Sequence, residues 1–274
     1  MQKNQKINKD TVICISIAAK PGNFGANFHN AAYKHLNLNW AYVPKKVVSD
    51  IDLERAINGM NVSGIKGCSV SMPHKETVIQ YLDELDSSAK KIGAVNTIVQ
   101  NVSGYLKGYN TDFYGAKKAL EQAEIKGREV LLIGAGGVAK SIGLSVTELG
   151  GILTVANRTY EKAKELSEKL NAKVKPWEQV NNSSAYLLIN ATSVGMNNPD
   201  EMIVKKDVIR KFSVVMDVVI YPAETKLLRI AKEMGKDIIP GTLMCVYQAA
   251  EQFKIYTGFE APKEIVKKTI KAFE

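Results

Sequence analysis

Leu131-Leu132-Ile133-Gly134-Ala135-Gly136-Gly137-Val138-Ala139 runs from an unbroken apolar stretch into a glycine-rich turn and out into a helix-forming segment. A short apolar run bounded by glycine reads as a buried strand, and glycine permits backbone conformations closed to other residues. Gly134 allows the tight turn, Gly136 lets main-chain amides come up to a pyrophosphate, and Ala139 is small enough for close helix packing. Ala135, Gly137 and Val138 complete the expected cofactor loop at a helix N-terminus, where unpaired N–H groups favour anions. The plain alternative is a tight connection with no ligand. The strand before, the helix after and a further strand at 152–156 favour a dinucleotide site.

Downstream, apolar runs at 129–133, 152–156, 185–190 and 214–218 are nearly continuous, as expected of strands covered by helices on both faces, so this part predicts a doubly wound Rossmann sheet. The end of its second strand chooses the cofactor. An NAD site places Asp or Glu there for the ribose 2′-hydroxyl, whereas Asn157-Arg158-Thr159 offers a guanidinium for a 2′-phosphate and no carboxylate to repel it, which favours NADP. The alternative is a surface arginine capping the helix expected over 160–170. Asn190-Ala191-Thr192-Ser193-Val194-Gly195-Met196 leaves the next strand end as a small polar loop, suited to the nicotinamide side or to a plain turn.

Upstream, strands at 12–17, 39–43, 65–70 and 96–100 alternate with helices at 27–36 and 53–60, which predicts parallel sheets with crossover helices. Asn101-Val102-Ser103-Gly104 is turn chemistry that closes this part in a hairpin. The expected organisation is a small N-terminal α/β substrate-binding domain over 1–109, completed by helices within 241–274, and an NADP-binding Rossmann domain over 110–240. A helix over 111–124 carries the chain from one to the other, and a cleft between lobes is expected.

Lys75, in Val70-Ser71-Met72-Pro73-His74-Lys75, and Asp112, closing Gly108-Tyr109-Asn110-Thr111-Asp112, stand out as catalytic candidates. An amine and a carboxylate can manage the proton of a hydroxyl while a nicotinamide takes the hydride. The net charge of +9 over 274 residues suits an anionic substrate or a phosphorylated cofactor. The lysines are dispersed without an arginine-aromatic cluster, so no nucleic-acid role is expected. Cys14, Cys68 and Cys245 lie far apart in apolar strings and read as buried free thiols of a reducing cytoplasm. His29, His35 and His74 lack metal-ligand spacing, so no metal is expected. The longest apolar stretch, 214–220, is broken by Asp217, and neither membrane insertion nor secretion is expected.

Ser71-Met72-Pro73-His74-Lys75, Gly93-Ala94-Val95-Asn96-Thr97, Asn110-Thr111-Asp112, Gly134-Ala135-Gly136-Gly137, Asn157-Arg158-Thr159 and Asn190-Ala191-Thr192-Ser193 occur in an order that resembles the shikimate/quinate dehydrogenase family across nearly the whole chain. The resemblance implies reversible, NADP-linked hydride transfer at a hydroxyl of a cyclic polyol carboxylate, as in aromatic amino acid biosynthesis through chorismate. It implies Lys75 as acid/base group with Asp112 as its partner, Asn96 on a substrate hydroxyl, and Gln248 reaching the substrate from a returning helix. It also implies cofactor contacts from Thr192, Val218, Gly241 and Met244.

Departures from the family pattern concern the substrate. In Lys20-Pro21-Gly22-Asn23-Phe24-Gly25-Ala26-Asn27-Phe28-His29-Asn30, the two serines that bind the carboxylate in the family are replaced by Asn23 and Gly25. Asn23 keeps a donor and Gly25 has none. The family's Asn-Val-Thr is Ser69-Val70-Ser71, with Ser71 retaining a hydroxyl, and the family's tyrosine is Ile220, with Tyr221 displaced by one residue. The chain thereby resembles the shikimate dehydrogenase-like subgroup. Shikimate is the default substrate, quinate or another polyol acid the alternative, and a cofactor-binding sensor without turnover a third reading.

Overall fold

The computed structural model describes residues 7–273. The chain divides into two compact units, one running through Thr111 and taking in Ala249–Ala272, the other comprising Asp112–Gln248 with Phe273.

The first unit contains β1 (Val12–Ala18), α1 (Phe24–His35), β2 (Trp40–Lys46), α2 (Asp50–Val62), β3 (Ile65–Val70), β4 (Glu84–Leu85), α3 (Ser87–Ile92), β5 (Thr97–Gln100) and β6 (Leu106–Tyr109). They form a six-stranded sheet in the order β2-β1-β3-β5-β6-β4. β1 is parallel to β2 and β3; β5 runs antiparallel to β6, as the expected hairpin requires, and also antiparallel to β3, where a parallel pairing was expected. The β5–β6 pair is closed by a tight turn: Asn101 Oδ1 accepts from the amides of Ser103 (2.9 Å) and Tyr105 (3.0 Å), and Gly104 takes φ +85°. Helix α2 begins three residues before its first buried position, Leu53, because Ser49 Oγ caps the Asp52 amide at 3.1 Å. Its Leu53, Ile57 and Met60 bury against Ile15, Ile17, Cys68 and Val70. At roughly 1.5–3 kcal/mol for each fully buried side chain, this layer holds α2 to the sheet.

The second unit carries α4 (Thr111–Leu120, whose first residue counts with the first unit), β7 (Glu129–Ile133), α5 (Gly137–Glu148), β8 (Ile152–Ala156), α6 (Tyr160–Lys169), β9 (Lys173–Lys175), β10 (Leu187–Asn190), α7 (Lys206–Ile209), β11 (Val214–Asp217), α8 (Lys226–Glu233) and β12 (Asp237–Pro240). Its sheet order is β12-β11-β10-β7-β8-β9, parallel throughout. Counted within the unit this is the Rossmann order, with the direction of winding reversing between β7 and β10. Alternate residues of one strand feed two cores: Val130 and Leu132 bury on one face, Leu131 and Ile133 on the other. That two-sided burial is why the strands read as unbroken apolar runs.

Helix α9 (Gly241–Thr257) and α10 (Lys263–Lys271) end the chain. The units divide within α9, after Gln248. Met244 belongs to the core of the second unit, whereas Phe253 and Tyr256 bury in the first. Gly67 on β3 leaves room for the latter, since a β-carbon there would lie 2.5 Å from the Tyr256 ring.

Candidate active site

In the first unit, Lys75 lies just past β3 in a turn fixed from both sides. The Ser71 amide donates to Ile17 O at 2.9 Å, the Val95 amide to Lys75 O at 2.7 Å, and the buried His74 ring nitrogen Nε2 meets Val47 O at 2.9 Å. His74 is thus a pin for the turn that presents Lys75, and Ser71 is exposed beside it.

Asn96 is buried, and its Oδ1 accepts from Thr97 Oγ1 (2.9 Å), the Thr111 amide (2.7 Å) and Thr111 Oγ1 (3.0 Å). Those bonds fix the amide plane and leave Nδ2 as the end that can donate to a ligand. Asn23 caps α1 without using its side chain and is exposed, so its amide also remains available.

A buried glutamine that the sequence reading passed over organises this region. Gln252 Nε2 lies 3.0 Å from Ser69 Oγ, 2.9 Å from Thr97 Oγ1 and 3.2 Å from Asn96 O, while its Oε1 faces His29 Nε2 at 3.4 Å. Four residues, just over one turn, separate Gln252 from Gln248, and that spacing on α9 was the available signal. Gln248 is half-buried and counts with the second unit. Burial pushes the His29 imidazole down to about 3, opposed by the Gln252 bond, so the ring is neutral.

In the second unit, Gly134 takes φ +126° and a β-carbon there would lie 2.6 Å from Ala191 O, so only glycine fits between the ends of β7 and β10. Gly136 caps α5 with no side-chain bond, and β-carbons built at Gly136 and Gly137 meet nothing within 4 Å. The space beside the first turn of α5 is therefore open, an arrangement that fits a pyrophosphate and hence a dinucleotide. Arg158 is exposed, and among the described residues no carboxylate pairs with it. Asn157 Nδ2 donates to Thr159 O at 2.9 Å, which shapes the loop that offers the guanidinium.

Asn190 and Asp217 are register partners at the ends of β10 and β11. Asp217 accepts from Asn190 Nδ2 (3.0 Å), Thr225 Oγ1 (2.7 Å) and the Val219 amide (3.1 Å). Burial pushes its carboxyl up to about 6, against the pull of those bonds. Asn190 Oδ1 in turn accepts from Thr192 Oγ1 at 2.7 Å, so Thr192 shapes its own loop. Gly241 has a packing reason, since a β-carbon would lie 2.5 Å from Val218 O. Met244 is a core residue and Val218 packs against that core. Cys14 and Cys68 are buried and Cys245 is only half-buried, which corrects the expectation of three buried thiols. Burial pushes the Cys14 thiol up to about 12, so it is no nucleophile.

Three family profiles match in chain order: a shikimate dehydrogenase substrate-binding domain over 24–98, shikimate/quinate 5-dehydrogenase over 115–217, and a shikimate 5′-dehydrogenase C-terminal domain over 241–271. The chain belongs to the shikimate/quinate dehydrogenase family. Among relatives of this dehydrogenase, the NADP(+) shikimate dehydrogenase of Pyrococcus furiosus is 43% identical over 248 residues, covering 89% of each chain. The shikimate dehydrogenase-like protein of Haemophilus influenzae is 38% identical over 272 residues, covering 95% of this chain and 96% of that one. A crystal structure of a shikimate dehydrogenase in complex with NADP+ superposes with a TM-score of 0.88 at 38% identity, covering 97% of both chains. No helix among the described residues is long and apolar enough to cross a membrane, and no group of His, Cys, Asp or Glu among them could hold a metal ion.

Proposed function

We propose that the chain is an NADP-dependent oxidoreductase acting on a CH–OH group, interconverting shikimate and 3-dehydroshikimate or a close cyclic hydroxy-carboxylate, as in the supply of chorismate for aromatic amino acids. The observation that carries the reading is the succession of family matches over 24–98, 115–217 and 241–271, which account for a substrate part, a cofactor part and a closing helical part.

NADP, when bound, supplies the hydride acceptor. The backbone of Gly134, Ala135, Gly136, Gly137 and Val138 would hold its pyrophosphate at the N-terminus of α5, and Arg158 its 2′-phosphate. Asn157, Thr159, Thr192, Val218 and Gly241 line or shape the loops that complete that site, with Met244 supporting them from the core. The Lys75 amine takes the proton from the reacting hydroxyl during oxidation and returns it during reduction, and Asp112 is the carboxylate that orients the amine. Asn96 Nδ2, freed by the bonds that occupy its Oδ1, donates to a neighbouring substrate hydroxyl. Ser71, Asn23 and Gln248 supply further polar contacts to substrate. The enzyme is read as cytoplasmic, with a small-molecule partner and no nucleic-acid or membrane role.

A second reading keeps the chemistry and changes the acid: Gly25 offers no side chain to a carboxylate and Tyr221 is largely exposed, so quinate or another polyol acid remains a candidate. A panel of NADP+ and NAD+ against shikimate, quinate and related acids, followed by cofactor absorbance, separates these. Turnover with NADP+ on at least one cyclic hydroxy acid is expected. NADP binding without turnover of any would reject the dehydrogenase reading in favour of a sensor.

A further inference from the structure

Gly25 lies in the first turn of α1, where the family pattern has a serine, and the structure shows what occupies the space its side chain would take. A β-carbon at Gly25 would lie 3.2 Å from the Tyr42 hydroxyl oxygen and 3.3 Å from Cε1 of that ring, closer than ordinary van der Waals contact. The bare glycine is what lets the phenol come up against the helix.

The phenol is held there from several directions. The His29 imidazole stacks on it with ring centroids 4.5 Å apart and planes within 12°. Asn30 brackets the Tyr42 backbone, its Nδ2 donating to Tyr42 O at 3.0 Å and its Oδ1 accepting from the Tyr42 amide at 2.8 Å. Cys14 pairs with Tyr42 across β1 and β2, and Ser16 pairs with Ser69 across β1 and β3, so Tyr42, Ser16 and Ser69 point to one face of the sheet. The two serine side chains therefore share the phenol's side of the sheet.

The same face continues toward the substrate-binding amide. Ser69 pairs in register with Thr97, Gln252 Nε2 joins their hydroxyls at 3.0 and 2.9 Å, and Thr97 Oγ1 donates to Asn96. A row of neutral donors thus runs from Tyr42 to the Asn96 side chain. Within the region matched as a substrate-binding domain, 24–98, the arginine is Arg55, exposed on α2. The polar atom beside Gly25 is the Tyr42 hydroxyl oxygen, 3.2 Å from the β-carbon position. Burial keeps the phenol protonated, as a donor must be.

We propose that Tyr42 is a substrate-recognition residue whose hydroxyl donates to the substrate carboxylate in place of the side chain missing at Gly25. The inference rests on the reading of the chain as a hydroxy-carboxylate dehydrogenase, and it names the group by which the altered segment still selects an acid. A charge-assisted hydrogen bond of this kind carries roughly a 10- to 100-fold effect.

The test compares wild type and Tyr42→Phe on the best acid of the panel and on its methyl ester. The expected result is a KM for the acid raised roughly 10- to 100-fold with kcat and the KM for NADP+ little changed, and a far smaller change on the ester, which lacks the anionic oxygen. Gly25→Ala, which crowds the phenol from the helix side without supplying a hydroxyl of its own, should show the same preferential loss on the acid. It serves as the second variant if Tyr42→Phe fails to fold. An unchanged KM for the acid, or equal losses on acid and ester in a variant that melts like wild type, would overturn the role of Tyr42 while leaving the enzyme assignment intact. Failure of the wild type to oxidise any acid would remove both.

Discussion

Asn96 separates two jobs that a buried amide can do. Its oxygen is spent on Thr97 and Thr111, and its nitrogen is what remains for a hydroxyl. Asn96→Asp retains the acceptor and loses the donor, so it should stay folded while kcat/KM falls by roughly 10- to 100-fold, measured beside a thermal melt. A loss of folding with normal specific activity in the surviving fraction would mean that Asn96 is purely architectural. Arg158 has no carboxylate partner among the described residues and stands where cofactors are told apart. Arg158→Asp should raise the KM for NADP+ by about 10-fold or more and spare NAD+, because a carboxylate repels the 2′-phosphate and can accept from a 2′-hydroxyl. An unchanged NADP+ constant would reject the assignment.

The glycine turn after β7 shows how an element is specified by exclusion. Gly134→Ala adds a β-carbon 2.6 Å from a backbone oxygen at a φ of +126°, so the neighbour cannot swing aside. A stability cost of about 1–3 kcal/mol is expected, together with loss of the melting-temperature gain that NADP+ gives the wild type. An undiminished gain would show that the turn does not hold the cofactor. This element was legible because strand, glycines and helix are contiguous in sequence. Edge strands β9 and β12 were not, since three or four residues including lysine or aspartate carry no period. The Asp217 cluster was half-legible: a charge inside an apolar run was visible, but its partners Asn190 and Thr225 come from other elements. Gln252 escaped for the same reason, because its partners Ser69, Asn96 and His29 are more than 150 residues away along the chain.

At the scale of the molecule, the two units carry buried titratable groups of opposite sign. His29 falls from 6.5 to about 3 in the folded first unit, so the unfolded chain binds the extra proton between those values. That unit should lose about 1.4 kcal/mol per pH unit as pH drops below 6.5. Asp217 rises from 3.8 to about 6 in the second unit, so there the folded state binds the proton, and its stability contribution is full below 3.8 and lost as pH rises through 6. The first unit contains Trp40 and the second Trp177, so single-tryptophan variants melted between pH 4 and 6.5 should report slopes of opposite sign. His29→Gln should flatten the Trp40 slope, and slopes of one sign in both probes would contradict these burial effects. The fold and cofactor part were readable from residues that are neighbours in sequence. The surroundings of Gly25 were not, because Tyr42 reaches that helix turn from a different element. The dehydrogenase chemistry is tested most directly by NADPH formation from shikimate or quinate by purified wild type and Lys75→Ala, assayed side by side. Turnover by the wild type, with kcat reduced roughly 100- to 10,000-fold in Lys75→Ala at similar NADP+ affinity, is the expected result. Equal turnover by the two proteins would contradict the proton-transfer role of Lys75, and no turnover by either, with NADP+ bound, would contradict the dehydrogenase itself.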